Sequence, residues 1–152
     1  MPMSQLLFSF SGRLNRKPWW LVGLAMVVIM IVVMIAVFIA AGVGAGGNPI
    51  DSFGALGGAL IVLLLLLIPI IWIGLALGAK RLHDRNKSAW WLVVFYLVPG
   101  VIDGIGSQLG GAGIIFSIAS FAISIWGLVE MGFLRGTVGP NQYGPDPLGA
   151  QA

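Results

Sequence analysis

The sequence predicts an all-α, multi-pass transmembrane helical bundle, and two observations carry that prediction. Apolar residues make up 59% of the 152-residue chain and charged residues only 9%, at a mean hydropathy of +1.02. A soluble fold of this length has more surface than so few polar residues can cover, whereas a bilayer solvates the apolar excess. The cations, net charge +3, fall in short clusters flanking long apolar runs instead of along one soluble face. That distribution fits membrane orientation and head-group contact, and it argues against nucleic acid as a partner.

Residues 1–18 form an N-terminal segment that ends in Arg13, Arg16 and Lys17. The first span, 19–42, is long enough at about 1.5 Å per residue to cross a hydrocarbon core about 30 Å thick. Small residues follow it as at a signal-peptide cleavage site, but the run exceeds an h-region of about 7–15 residues and is read as retained. A Gly/Pro/Asn-rich linker carrying Asp51 leads into the second span, 53–79, where Pro69 predicts a kink and a freed carbonyl. Residues 80–89 make a polar loop. The third span, 90–106, is short and interrupted by Pro99, Gly100 and Asp103, so a re-entrant segment is its alternative. The fourth span, 112–134, follows a Gly-rich turn, and 135–152 is a tail whose Gly/Pro composition alone predicts disorder. With four spans every basic residue lies on one side, which places both termini in the cytoplasm.

"NRKPWW" (15–20) and "NKSAWW" (86–91) each place an asparagine and a cation before a tryptophan pair and an outgoing span. This suggests two parallel hairpin repeats; the same pattern also follows from interfacial anchoring alone. Gly113, Ser117, Ser120, Ser124 and Gly127 recur at spacings of three and four and predict one small-residue face on the last span. Gly74 and Gly78 offer a matching surface on the second, and either face would serve intrachain packing or a homo-oligomer.

Three sets of residues could carry chemistry. Arg81, His83, Asp84 and Arg85 offer two guanidinium forks, an imidazole and a carboxylate within five positions, a set suited to clamping a phosphate or to setting topology. His83 with Asp84 would be the pair for an enzyme acting on lipid head groups, although sequence neighbours alone do not make a dyad. Asp103 and Glu130 are intramembrane acids, expected at different depths, that a small transporter or channel would use; an ion pair to a loop cation is the structural alternative for Glu130. Asn141, Tyr143, Gly144, Asp146 and Pro147 make the tail a specific turn-rich string, with Asp146 able to fold back onto the basic loop. With no cysteine and one histidine, no metal centre or cofactor is expected.

"FSFSGRLNRKPWW", "KRLHDRNKSAWW" and "GPNQYGPDP" resemble, in order, three motifs of the domain of unknown function 805 family of bacterial inner-membrane proteins. The positions that match are Gly12, Arg13, Arg16 and Trp20; Arg81, Leu82, His83, Asp84, Ser88 and Trp90; and Asn141, Tyr143, Gly144 and Pro147. Lys80, Asn86 and Ala89 depart from it, standing where the family often has Arg, Gly and Gly, which weakens the expectation of a fixed glycine turn. The resemblance implies a multi-pass inner-membrane protein and supplies no biochemical activity. The expectation is a binding module or scaffold, more a non-enzyme than an enzyme, whose partners are anionic membrane lipids. Arg13, Arg16, Arg81 and Arg85 would give donors, His83 and Asp84 orientation, and Trp19, Trp20, Trp90 and Trp91 the interfacial floor.

Overall fold

The computed structural model describes residues 2–44 and 49–149, and their side chains apart from those of residues 40–44, 49–53, 55 and 56. The side chain of Asp51 and part of the linker around it lie outside the described residues. Apart from one β-bridge in the tail, the described residues are helical, in turns or irregular. A short helix α1 (Met3–Phe8) precedes two long helices, α2 (Arg16–Gly44) and α3 (Pro49–Asp84). Among the described residues three helices are long and apolar enough to cross a membrane, Arg16–Ile39, Gly57–Asp84 and Gly110–Phe133, and Val93–Gly106 is a shorter apolar one. This is the multi-pass helical bundle that the composition requires.

At about 1.5 Å per residue α3 is about 54 Å long, well beyond the hydrocarbon thickness, and Pro69 sits inside it without ending it. The segment expected to be a loop from residue 80 therefore continues the helix as far as Asp84. What stops α3 is backbone geometry. Lys87 N donates to Leu82 O at 2.9 Å and Asn86 N to His83 O at 3.0 Å, the paired bonds of a Schellman cap. Asn86 supplies the left-handed residue that this cap needs, at φ 57°. The glycine-type turn is thus present, with asparagine, the next most tolerant residue, in glycine's place.

The chain re-enters helix at Trp91 and stays helical through Gly106. Its second turn is a π-turn, Val93–Leu97, closed by Val98 N on Val93 O, and it leads into α4 (Val98–Gly106). Pro99 is the physical cause: it donates no hydrogen bond and its ring crowds the carbonyl four residues back, so the turn before it widens. The last helix, α5 (Gly113–Leu128), ends in a second π-turn, Val129–Phe133, with Leu134 N on Val129 O at 3.1 Å.

The chain divides into two compact units, Met1–Trp20 with Leu75–Ala152, and Leu21–Gly74. In the second, Gly74 lies against Met26. In the first, α4 and α5 pack as a hairpin through the predicted small-residue face. Gly113, Ser120 and Gly127 are buried there, while Ser117 and Ser124 are exposed. A Cβ on Gly106 would stand 2.6 Å from Phe116, and one on Gly127 2.9 Å from Phe95, so glycine sets how closely the two helices approach. Gly78 meets Leu92 and Met131 in the core, which centres on Ala79, Leu82, Leu92, Phe95 and Met131. These glycine and serine contacts are intrachain.

Replacing Asn86 by Gly is expected to leave thermal stability in detergent unchanged or slightly raised. Replacing it by Val should lower it by about 1–2 kcal/mol, the cost of a branched side chain in the left-handed region.

Candidate functional site

Two of the three largest fully buried side chains in the described structure are cations, Arg81 and Lys80. Burying a charge is unfavourable unless it is paired and its hydrogen bonds are met, so their partners define the site. Asp84 closes α3 and is 3% exposed. A carboxylate at a helix C-terminus faces the negative end of the dipole, and two guanidiniums neutralise it here. Arg13 Nε donates to Asp84 Oδ1 at 3.1 Å, and Arg81, three residues back, brings a nitrogen to 2.5 Å from Oδ2. The remaining donors go to backbone carbonyls: Arg13 to Thr137 O and Gly139 O, each at 2.6 Å, and Arg81 to Met131 O at 2.5 Å and to Leu134 O. Thr137 returns its N–H and hydroxyl to the Asp84 carbonyl at 2.8 and 3.1 Å. Gly136 passes so close that a Cβ there would run into the Asp84 carboxylate.

The same cations finish the last helix. Carbonyls at a helix C-terminus have no intrahelical partner and carry partial negative charge. Met131 O and Leu134 O take Arg81, Gly132 O takes Trp20 Nε1 at 3.0 Å, and Phe133 O takes Arg16 at 2.8 Å. Beyond them, Arg135 O takes Arg85 at 2.7 Å. Glu130, in the same π-turn, accepts from Arg85 Nε at 3.0 Å and Lys87 Nζ at 2.8 Å, and Lys87 also sits 4.8 Å above the Trp91 ring. Glu130 is therefore held in an ion pair with loop cations. Lys80 serves α1 likewise, donating to Gln5 O at 2.9 Å and to Leu6 O.

The tail is ordered against this cluster. Asn141 Nδ2 donates to His83 O at 2.9 Å and Thr137 Oγ1 at 2.8 Å, and Asn141 Oδ1 accepts from Tyr143 N at 2.8 Å. Tyr143 stacks on His83 with ring centroids 3.9 Å apart and planes 6° from parallel. His83 Nδ1 lies 3.2 Å from Gly12 O; a carbonyl only accepts, so that nitrogen carries the proton. The Asp146 carboxylate accepts from Leu148 N at 2.9 Å and Gly139 N at 3.0 Å within the tail, and the residue lines a small cavity with Arg16, Arg81 and Arg135. Those two bonds hold it below the usual carboxylate range.

The structure thus brings together Arg13, Arg16, Arg81, His83, Asp84, Arg85, Asn141, Tyr143 and Gly144, while Asp103 is held by Ser120 Oγ at 2.7 Å, away from Glu130's partners. His83 and Asp84 do not form a dyad, since the carboxylate faces two guanidiniums and the imidazole faces Gly12 and Tyr143. Of the four tryptophans expected at the interface, Trp90 is 80% exposed; Trp19, Trp20 and Trp91 pack on one another, on Phe133 or on the Phe95–Trp126 pair. Sequence reasoning missed Lys80, Lys87, Gly136 and Thr137 as parts of this site. Only the charges of the first two were a signal.

The family described as protein of unknown function (DUF805) matches residues 7–145. This chain belongs to that family. The match takes in the first two motifs entire and the third as far as Pro145. Among relatives of the DUF805 chain, "Uncharacterized protein YiiR" of Escherichia coli (strain K12) is 28% identical over 96% of this chain and 90% of its own length. "Inner membrane protein YhaH" of the same strain is 28% identical over 91% and 86%. No solved structure matches. The relatives and the apolar helices together make this an inner-membrane protein.

Asp84→Asn leaves two buried guanidiniums without their anion, and the expected loss is about 3–5 kcal/mol of stability, read as a lower unfolding temperature in detergent with the tail opened to protease. The contribution of Asp146 to tail order should not change with pH above about 4, because a carboxylate with a depressed folded pKa contributes stability that is complete above its unfolded value. It falls only as pH drops through the lower folded value. Hydrogen exchange at Gly139 and Leu148 measures this, and Asp146→Asn should remove the acid limb.

Proposed function

We propose that this chain is a scaffold or binding module of the inner membrane that crosses the bilayer four times, keeps both termini in the cytoplasm and binds anionic lipid head groups at that face. The four-crossing topology is supported by the hydrogen bonds from Arg13 to Thr137 O and Gly139 O and from Thr137 N to Asp84 O. Segments in hydrogen-bond contact lie on one side of a bilayer, so the chain between residues 85 and 133 crosses it an even number of times. The continuous helix 91–106 rises about 24 Å, enough to span when Trp90 and the Ser107 turn occupy the interfaces. The positive-inside rule then assigns the basic side to the cytoplasm.

The observation that carries the binding reading is how the cations are divided. Arg13, Lys80 and Arg81 are buried and spent on the protein, and Arg85 and Lys87 hold Glu130. Arg16, Lys17 and Arg135 are exposed. Arg16 and Arg135 also line one small cavity with Asn15 and Thr137. In this reading the buried cluster orients the site, with His83 and Asp84 in that role, and the exposed cations meet the lipid phosphate. Each basic residue near an anionic bilayer surface contributes about 1 kcal/mol.

Native mass spectrometry from nanodiscs of mixed phosphatidylglycerol and phosphatidylethanolamine tests this. The wild type should retain the anionic lipid in preference by about tenfold or more, less at high salt, and Arg16→Gln/Lys17→Gln/Arg135→Gln should bring the two lipids close to parity. Equal retention of both lipids by the wild type would overturn the reading.

A further inference from the structure

Beside the ion cluster, the N-terminal segment and the tail enclose an open groove of about 1,100 Å³, walled largely by Leu6, Leu14, Pro18, Val138, Pro140 and Tyr143. Its charged groups are already engaged: Arg13 on Asp84 and three backbone carbonyls, Asp146 on two backbone N–H groups. What is left is an apolar trough. Pro18, in the first turn of α2, puts it where the first apolar helix begins, the level of the membrane–water boundary.

Two further observations point to an occupant. Outside the long apolar helices, large apolar side chains of the N-terminal segment and tail are exposed, Met3 at 65%, Val138 at 73% and Leu148 at 44%. Val138 is itself a wall of the groove, so the trough presents continuous apolar surface of the kind that contacts lipid or another molecule. Asn15, one of the groove's residues, has a buried amide oxygen with no hydrogen-bond partner among the described residues, an acceptor open to a hydroxyl or amine donor. The exposed cations Arg16 and Lys17 adjoin Asn15 and Pro18 in sequence. An apolar trough at the interface, with two exposed cations lying in the chain between two of its residues, complements an amphipathic anion.

We infer that this groove seats one anionic phospholipid of the inner leaflet, with its glycerol and upper acyl chain between the N-terminal segment and the tail and its phosphate on Arg16 and Lys17. This rests on the head-group reading above and deepens it by naming the whole lipid and its seat. Bulk anionic surface would need only the cations; a seated lipid needs the trough as well.

The test uses phosphatidylglycerol with a photoreactive group near the top of one acyl chain, added at one molecule per full-length protein in detergent, with cross-links mapped by peptide mass spectrometry. Cross-links are expected in residues 6–18 and 138–145, at least fivefold weaker in Val138→Glu, whose exposed position should leave the unfolding temperature unchanged. Unlabelled phosphatidylglycerol should compete, and phosphatidylethanolamine or inorganic phosphate should not. Cross-links spread over the long helices and unmoved by Val138→Glu would overturn the seat; persistence of anionic preference in the nanodisc experiment would then show that the head-group reading stands alone. Groove cross-links competed equally by both lipids would overturn the anionic specificity, and the head-group reading with it. Competition by inorganic phosphate would assign the site to a soluble anion and overturn the lipid.

Discussion

The carboxylate of Asp84, held between the buried guanidiniums of Arg13 and Arg81, is the interaction on which the rest depends. The two guanidiniums neutralise this anion at the end of α3 and tie it to the N-terminal segment, the end of the last helix and the tail. Replacing such a cluster by apolar residues would often cost little, but removing one member strands the others. Its contribution is therefore as much to fix one arrangement of four chain segments as to stabilise it.

A second constraint follows from α5. Its final carbonyls need donors, and they receive them from Arg16, Trp20 and Arg81, side chains on other elements. Cations suit that place because the helix dipole is negative there, so pairing and capping reinforce each other. Gly132 and Gly136 leave the room this requires, one against the Trp20 ring and the other against Asp84. The basic motifs are in this sense structural first. The cations they leave exposed are the ones available to anything outside the protein.

The long apolar helices were legible in the sequence because a bilayer demands runs of about 20 apolar residues, a strong and local signal. The end of α3 was not legible from apolarity: the apolar run stops at Ala79, but a helix ends where its cap is, and the left-handed Asn86 puts that six residues past Lys80. The three motifs were legible as important, and their meeting on one side followed from charge. Which cations are buried was hidden, because Arg13 and Arg81 find their carbonyl partners 50 to 131 residues away. The order of the tail was hidden for a different reason. Gly and Pro content argues for disorder, while order comes from side chains: Asn141 and Asp146 bond the tail's own backbone, and Arg13 and His83 hold the tail from outside it.

Synthesis makes Arg13 long before its partners Thr137 and Gly139, which lie 124 and 126 residues further along the chain. The N-terminal segment and the end of α3 must therefore wait until α5 and the tail have been made. The cluster closes only once the tail has arrived. A chain cut short before Thr137 would leave Arg13 and Asp84 without their tail partners and the basic segments open to proteases, so the same bonds that hold the fold also register that the tail is in place.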